Sequence, residues 1–409
     1  MLWEGQEPPK GGSQAMASST TPGTPAATPG TPAVLRAMND RAALDLLVLH
    51  GPLTRTRIGE LTGLSKPTTS QLLARLENAG LVRSSGSESG RPGPKALLYE
   101  VEPSAAHVAA LSVGHTGISA LVADVTGRVA GRGRVGADAV AENVRNRTAQ
   151  LVREAVEAAL AEAGLRADRL HHTVIGTPGA LDPVSGELRY APHLPGWHSR
   201  TLLAELAEEI GTPVRIENDV NLAALAEQYQ GAAQDHDDFV LAWLDRGVGA
   251  AIVLGGTLLR GATGGAGEIG YMPLPGAPLA RGGEGATAGD DGGGGLQSLV
   301  SVPAVRALAG GAPLAEALTV PAVLDETARR LATGIAAVVA VVDPELVVLS
   351  GQVAEAGGEE LRTRVEAELT GLALPRPLLR ISELEGDPIL VGALHVALEQ
   401  ARDAVFDTS

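Results

Sequence analysis

The sequence predicts an α/β protein with an N-terminal winged helix-turn-helix followed by a larger two-lobed domain. Three observations point there. Residues 34–101 run helix, helix, tight turn, helix, hairpin. A strand–Gly turn–strand–turn–strand unit occurs twice, over Val108–Val135 and Asp238–Arg260, which suggests two lobes with a cleft between them. Between these copies, Val214 and Ile216 alternate with polar residues as a short strand and hand over at Asn218-Asp219 to a small-residue helix. In open α/β folds, ligands bind just beyond the carboxyl ends of strands.

The bulk numbers fit that plan. A chain of 409 residues with 44% hydrophobic and 20% charged residues has room for two or three domains. Aromatics are 2%, so Ala, Val and Leu must build the core. There is no cysteine, which excludes disulfides, thiolate catalysis and cysteine-ligated zinc, and fits a reducing cytoplasm. The longest purely apolar run, Ile335–Val342, falls far short of the roughly 20 residues that span a bilayer. The net charge of −16 is uneven. Residues 34–100 hold nine Lys/Arg against six Asp/Glu, a net of +3, and residues 1–33 a net of −1, which leaves −18 for the remainder. A small basic module is joined to a large acidic one.

Residues 1–33 are rich in Thr, Pro, Gly and Ala and carry the near-repeat Thr-Pro-Gly-Thr-Pro. Such a segment buries too little apolar surface to offset its ordering entropy, so a disordered tail is expected. Met16 is a second candidate for the first residue. From Val34, the residues Val34, Leu35, Met38, Ala42, Leu46 and Leu49 recur at helical spacing until Gly51-Pro52 stops the helix. Arg55–Thr62 gives a second helix with Ile58 and Leu61 facing inward, and Gly63-Leu64 a tight turn. Ser65 caps a third helix, with Pro67 tolerated in its first turn. Leu72, Leu73 and Leu76 supply its buried face, and Thr68, Thr69, Gln71 and Arg75 are left outward. Leu81–Arg83 and Leu97–Val101 read as strands flanking a Ser/Gly/Pro-rich wing.

In this motif the second of the two turn-linked helices enters the major groove. Thr69 and Gln71 are expected to read base edges, with Thr68 on the same outward face. Lys66, Arg75 and the helix N-terminus are expected to hold phosphates. Arg91, in the Gly-Arg-Pro-Gly wing, is placed to enter a minor groove. The competing reading is a three-helix protein–protein module with a solvated polar face.

Past Ala105 the pattern is α/β. Strands are expected at Val108–Val113, Ile118–Asp124, Arg128–Val135, Leu170–Ile175, Asp238–Leu244, Gly249–Leu254, Thr257–Arg260 and Leu346–Leu349. Helices are expected at Val140–Ala163, Pro321–Val342 and Val391–Arg402. Gly282–Gly295 reads as a mobile surface loop. His171-His172 lie side by side on a strand and point to opposite faces, so together they chelate poorly.

Five blocks in this order resemble the ROK family, named for repressors, open reading frames and kinases. They are Val174-Ile175-Gly176-Thr177-Pro178-Gly179-Ala180-Leu181-Asp182, Ala191-Pro192-His193-Leu194-Pro195-Gly196-Trp197, Glu217-Asn218-Asp219-Val220-Asn221, Gly264-Gly265-Ala266-Gly267-Glu268-Ile269-Gly270-Tyr271-Met272 and Val347-Val348-Leu349-Ser350-Gly351. The resemblance covers nearly everything from Val34 on. It implies an actin-like, ribonuclease-H-like ATPase fold, in agreement with the duplicated unit. A winged helix in front of that fold resembles the repressor branch.

The departures from the kinase pattern carry weight. Family kinases open the first lobe with Asp-x-Gly-Gly-Thr, whereas this chain has Ser112-Val113-Gly114-His115-Thr116. Ser112 has no charge to hold a hard cation. The second phosphate loop reads Leu244-Asp245-Arg246-Gly247-Val248-Gly249, with an acidic residue where a phosphate would lie. The family's zinc site uses a His after Gly-Glu-x-Gly and three cysteines; here that position is Tyr271 and cysteine is absent. Gln297 stands where a sugar-contacting Glu is usual, and His193 where an Asn is usual.

Asp219 matches the family's catalytic base. By its residue type alone it suits a base, a hydrogen-bond acceptor for a sugar hydroxyl, or a helix cap. With the magnesium and zinc machinery missing, no catalytic residue, metal or cofactor is expected. The expected effector pocket is lined by Gly179, His193, Asn218, Asp219, Glu268 and Tyr271. The resulting expectation is a cytoplasmic transcriptional regulator, a repressor, with residues 34–103 as the DNA-binding domain and 104–409 as the sugar-sensing domain. Its partners are a double-stranded operator and a sugar or sugar phosphate, and its assembly a homodimer or dimer of dimers. The alternative is an ATP-dependent sugar kinase with a fused DNA-binding domain.

Overall fold

The computed structural model describes residues 32–87, 96–138, 147–182, 186–189, 197, 199–279, 294–372 and 376–407. The expectations for Arg91, for His193, for the tail before residue 32 and for most of the 282–295 loop lie outside the described residues.

Helices α1 (Pro32–His50), α2 (Arg55–Thr62) and α3 (Lys66–Asn78) precede an antiparallel hairpin of β2 (Val82–Ser87) and β3 (Leu97–Val101). The two-residue β1 (Leu53–Thr54) adds to β3. Thr54 and Ser65 cap α2 and α3 by accepting from Arg57 N–H and Thr68 N–H. Gly63 closes α2 in the left-handed conformation, φ 70°.

Two faces differ from expectation. The buried side of α1 is Asp40, Ala43, Leu44 and Leu47, while Val34, Leu35, Met38 and Leu49 are exposed. The inward stripe is offset from the apolar periodicity of the sequence, and it starts with a carboxylate, Asp40. On α2, Ile58 is buried but Leu61 is exposed.

The long region is a duplication. In the first sheet, β4 (His107–Gly114), β5 (Gly117–Asp124), β6 (Val129–Gly136), β7 (Leu170–Thr177) and β10 (Val214–Asn218) lie in the order β6-β5-β4-β7-β10. In the second, β11 (Phe239–Leu244), β12 (Val248–Leu254), β13 (Thr257–Leu258), β14 (Leu346–Ser350) and β15 (Leu378–Ile381) lie in the order β13-β12-β11-β14-β15. In each sheet an antiparallel meander is followed by two parallel strands. The short β8 (Ala180–Leu181) and β9 (Leu188–Arg189) form a separate ribbon. Strands β4 and β14 are buried almost throughout, because helices cover both faces of each sheet.

On one face of the first sheet pack α4 (Thr148–Ala163) and α5 (Leu202–Ile210), with Trp197 in the same core. Helix α6 (Asp219–Gln230) lies between the lobes. Its Leu222 belongs to the first lobe's core, and its Val220, Ala223 and Ala224 pack with Phe239, Leu241, Val253 and Val348 of the second. A helix apolar on nearly every side is buried on nearly every side. The second lobe is filled by α7 (Gln297–Val300), α8 (Val302–Leu308), α9 (Leu314–Ala317), α10 (Pro321–Val342) and α11 (Gln352–Leu372). Gly358, φ 52° and ψ −152°, breaks α11 after its first turns. The last helix, α12 (Pro388–Phe406), starts at an Asp387 cap and returns to the first lobe, against β4, β7 and α6.

Candidate functional site

The cleft is built around the end of β10. Asn218, not Asp219, is the N-cap of α6: its Oδ1 accepts from Asn221 N–H at 3.0 Å, and its Nδ2 donates to Gly179 O at 2.9 Å. That bond ties the turn after β7 to the turn after β10, the two parallel strand ends of the first lobe. Asp219 is therefore the first helical residue. One of its oxygens accepts from Val220 N–H at 2.8 Å. Asp219 keeps part of its surface open. Burial of its carboxyl pushes the pKa up to about 6, opposed by the backbone N–H groups and reinforced by Asp245 and Asp387.

Glu268 comes from the second lobe. Its loop approaches the second sheet closely: Gly267, φ 91°, accepts from Ala250 N–H at 2.7 Å, and a side chain there would collide with Ala250 O. The same loop reaches the first lobe, where a Cβ on Gly264 would come within 2.8 Å of Leu181 O. Burial pushes the Glu268 carboxyl up to about 7, and the neighbouring Asp219 adds to the shift. Asp219 of the first lobe's strand end is thus close enough to Glu268 of the second lobe for its charge to act on it. Tyr271, at the end of the turn Ile269–Tyr271 that follows Glu268, is 47% exposed. Of the expected pocket residues, Gly179, Asn218, Asp219 and Glu268 are brought together. Tyr271 lies on the adjoining turn.

Sequence reasoning missed the network directly beneath this pair. Glu217 is buried at the end of β10, and its Oε2 accepts from Arg215 Nη2 at 2.9 Å and from Arg260 Nε and Nη2 at 3.0 and 2.8 Å. Its Oε1 accepts from Asn221 Nδ2 at 3.0 Å. Burial alone would raise this carboxyl, but the Arg260 charge and the bonds from Asn221, Arg260 and Arg215 hold it below the usual carboxylate range. Arg260 follows β13, so the clasp joins the second lobe to the first. Strand alternation places Arg215 and Glu217 on one face and was a readable signal. Arg260, far along the chain, gave none.

The positions at which the chain departs from the kinase pattern are otherwise engaged or uncharged. Ser112 sits at the carboxyl end of β4, paired with Ser119 and Gly176. Asp245 Oδ1 accepts from Arg246 N–H at 2.6 Å and from Gln352 Nε2 at 2.7 Å. Gln297 Oε1 accepts from Val248 N–H at 3.4 Å. Among the described residues no group of three or more His, Asp or Glu is arranged to hold a metal ion.

On the winged helix, Lys66, Thr68 and Gln71 are exposed along α3. Thr69 is not. It is fully buried, its hydroxyl donates to Ser65 O at 3.1 Å, and a Cβ on Gly59 of α2 would lie 3.0 Å from its Oγ1. The expectation that Thr69 reads base edges is therefore corrected. Thr69, Leu72, Leu73 and Leu76 are spaced i, i+3, i+4, i+7 and form the inner stripe, in which a small β-branched residue fits against a glycine. Arg75 is half-exposed and binds Asp40 of α1 in two-pronged fashion, Nη2 at 2.6 Å and Nε at 3.3 Å. These two nitrogens fasten α3 to α1. A cation the sequence reading passed over, Arg55, is exposed at the start of α2 and bonds Ser70 Oγ at 3.2 Å, beside the α3 face.

A doubled five-stranded sheet with a helix wedged between its halves is the architecture of the kinase-like class of two-lobed proteins. The chain belongs to the ROK family, which it matches over residues 108–399. Residues 39–91 match the MarR family. The N-acetylglucosamine repressor of Escherichia coli O6:H1 is 26% identical over 250 residues, 59% of this chain and 58% of the repressor. The match thus spans little more than half of that relative's length. Among solved structures, a ROK family transcriptional regulator described as a homolog of the E. coli MLC protein superposes with TM-score 0.67 at 21% identity, over 91% of this chain and 97% of that one. A ROK hexokinase from Thermus thermophilus superposes with TM-score 0.58 at 32% identity, over 73% of this chain and 99% of that one. Among the described residues, no helix is long and apolar enough to cross a membrane.

Proposed function

We propose that this chain is a cytoplasmic DNA-binding transcriptional regulator, a repressor, whose cleft binds a sugar or sugar phosphate. Residues 34–103 form the DNA-binding part and 104–409 the sensing part. The observation that carries the reading is a pairing on one chain. An exposed helix face with Lys66, Thr68 and Gln71 stands beside a cleft that keeps Asp219 and Glu268 but has Ser112 where family kinases carry the magnesium-organising Asp. Lys66 contacts phosphate, Gln71 reads a base edge, and Thr68 adjoins it. Arg91 in the wing enters a minor groove. The effector is held by Gly179, Asn218, Asp219, Glu268, Tyr271 and His193. A dimer, or a dimer of dimers, sets two recognition helices one helical turn apart on a two-fold operator.

The likeness to the N-acetylglucosamine repressor supports the repressor reading. Gel shifts on the DNA upstream of the chain's own gene, with and without a sugar panel, test it. Asp219→Ala is expected to abolish the sugar's effect on DNA binding while leaving sugar-free DNA affinity within about twofold. A pKa near working pH is also what a general base needs. ATP-dependent phosphorylation of a hexose that Asp219→Asn abolishes would replace the sensor reading with the kinase one.

A further inference from the structure

The winged helix and the first lobe are not joined by the chain connection alone. One continuous buried cluster contains Ala43, Leu44 and Leu47 of α1, Leu72 and Leu76 of α3, Val108 and Ala110 of β4, Leu222 of α6, and Ala393, Val396, Ala397, Ala401 and Phe406 of α12. At its two ends, α12 makes contacts of different kinds. Near its start, Gly392 lies so close to α6 that a Cβ would collide with Leu222 O, and Ile389 presses on Gly176 of β7. Near its finish, Asp403 accepts from Arg41 Nη1 of α1 at 2.8 Å, and the Arg41 guanidinium lies 5.8 Å above the Phe406 ring, which is 1% exposed. Arg402 Nε donates to Val125 O at 3.0 Å and keeps this end of α12 on the first lobe.

Adjacent residues of α1 then point to different partners. Arg41 holds α12, and Asp40, 3% exposed, holds Arg75 of the recognition helix. Residues one apart on a helix differ by about 100° in direction, so α1 stands between α12 and α3 as a spacer. The lobe junction at Asp219, the helix α6, the helix α12, the helix α1 and the helix α3 form an unbroken series of close contacts within one chain.

We infer that α12 carries the state of the cleft to the recognition helix inside a single subunit, through Gly392 at one end and Asp403 and Phe406 at the other. A shift of α6 on effector binding displaces α12 because no side chain separates them at Gly392. Close-packed elements answer such a push by changing position, not by compressing. Displacement of α12 turns α1, and the Asp40–Arg75 pair takes α3 with it. This route rests on the proposed effector reading for its physiological trigger, but its mechanics do not.

The test has two arms, both on the full-length chain. In the first, backbone hydrogen exchange is compared between wild type and Gly392→Ala, with Ile389→Val as a milder second variant. Amides of α1 and α3 are expected to exchange at least about threefold faster, with α10 of the second lobe unchanged. Unchanged α1 and α3 when α6 and α12 respond, or equal loosening of α10, overturns the route. In the second arm, glucose, xylose, N-acetylglucosamine and its 6-phosphate are screened by thermal shift. With whichever of these binds, Asp403→Ala is expected to keep sugar affinity within twofold and to reduce the sugar's effect on DNA affinity at least fivefold. Full retention of that effect overturns the route. If no sugar in the panel binds, the effector reading loses its support while the exchange arm still decides the mechanics.

Discussion

Arg260→Met cuts a side-chain clasp between the lobes. The Glu217 carboxylate it leaves is 8% exposed and loses two charge-assisted bonds of 3.0 and 2.8 Å. Stripping one partner from a fully buried ion pair costs about 3–5 kcal/mol. Two features reduce that here. Arg260 is 44% exposed, so solvent screens it, and Arg215 and Asn221 remain on the carboxylate. The expected loss is about 1–2 kcal/mol, or roughly 2–6 °C in the melting temperature of a domain this large. The pH dependence follows from the sign of the shift. Glu217 is held below its unfolded value, so the clasp's contribution is complete above the ordinary carboxylate pKa and disappears as pH falls through the folded one. Calorimetric melts of wild type and variant should therefore differ at pH 7 and draw together as pH falls below the ordinary carboxylate range. A variant that melts within 1 °C of wild type at pH 7, or whose deficit persists unchanged into acid, refutes the clasp as a stabilising link.

The carboxyls of Asp219 and Glu268 behave in the opposite sense. Asp219 and Glu268 are raised to about 6 and about 7, so their contribution is fully present below the unfolded carboxylate value and is lost as pH rises through that window. Glu268→Gln should flatten the decline in melting temperature between about pH 4 and pH 7, a difference of about 1–3 kcal/mol that titration calorimetry or thermal melts will register. Thr69→Ala and Gln71→Ala should separate stability from reading. The first lowers winged-helix stability by about 1 kcal/mol with base preference intact, and the second relaxes operator preference by about 1–3 kcal/mol in competition gel shifts. Arg75→Ala takes the guanidinium from the buried Asp40 and should cost about 1–2 kcal/mol, part of it regained in the Asp40→Ala/Arg75→Ala double variant, as denaturant melts will measure.

The duplicated sheet was legible because each copy repeats the same Gly-turn punctuation, and Pro321–Val342 matched a helix with identical bounds. The carboxyl end of β10 was legible because alternation ends there, although the cap fell to Asn218 and not to Asp219. Inner faces were legible where they were purely apolar, as at Leu72, Leu73 and Leu76, and misread where they were not. Thr69 and Asp40 both point inward at perfect helical spacing, and a rule that sends polar residues outward places them wrongly. Long-range pairing was invisible. Nothing local in Arg260 announces Glu217, and nothing in Arg41 announces Asp403, because such pairs are set by how two distant elements pack.

The apolar seam from α1 to α12 also bears on how proteins of this architecture diversify. A recognition head joined by a flexible tether is exchanged by cutting at the tether. Here the head shares Leu44, Leu47 and Phe406 with the body in one buried core. A foreign head grafted at residue 103 would meet a surface shaped for another partner and leave Phe406 uncovered. On the proposed reading of α3, new operator preferences are therefore reached more readily by substitutions on its outer face, at Thr68 and Gln71, than by replacing the head whole.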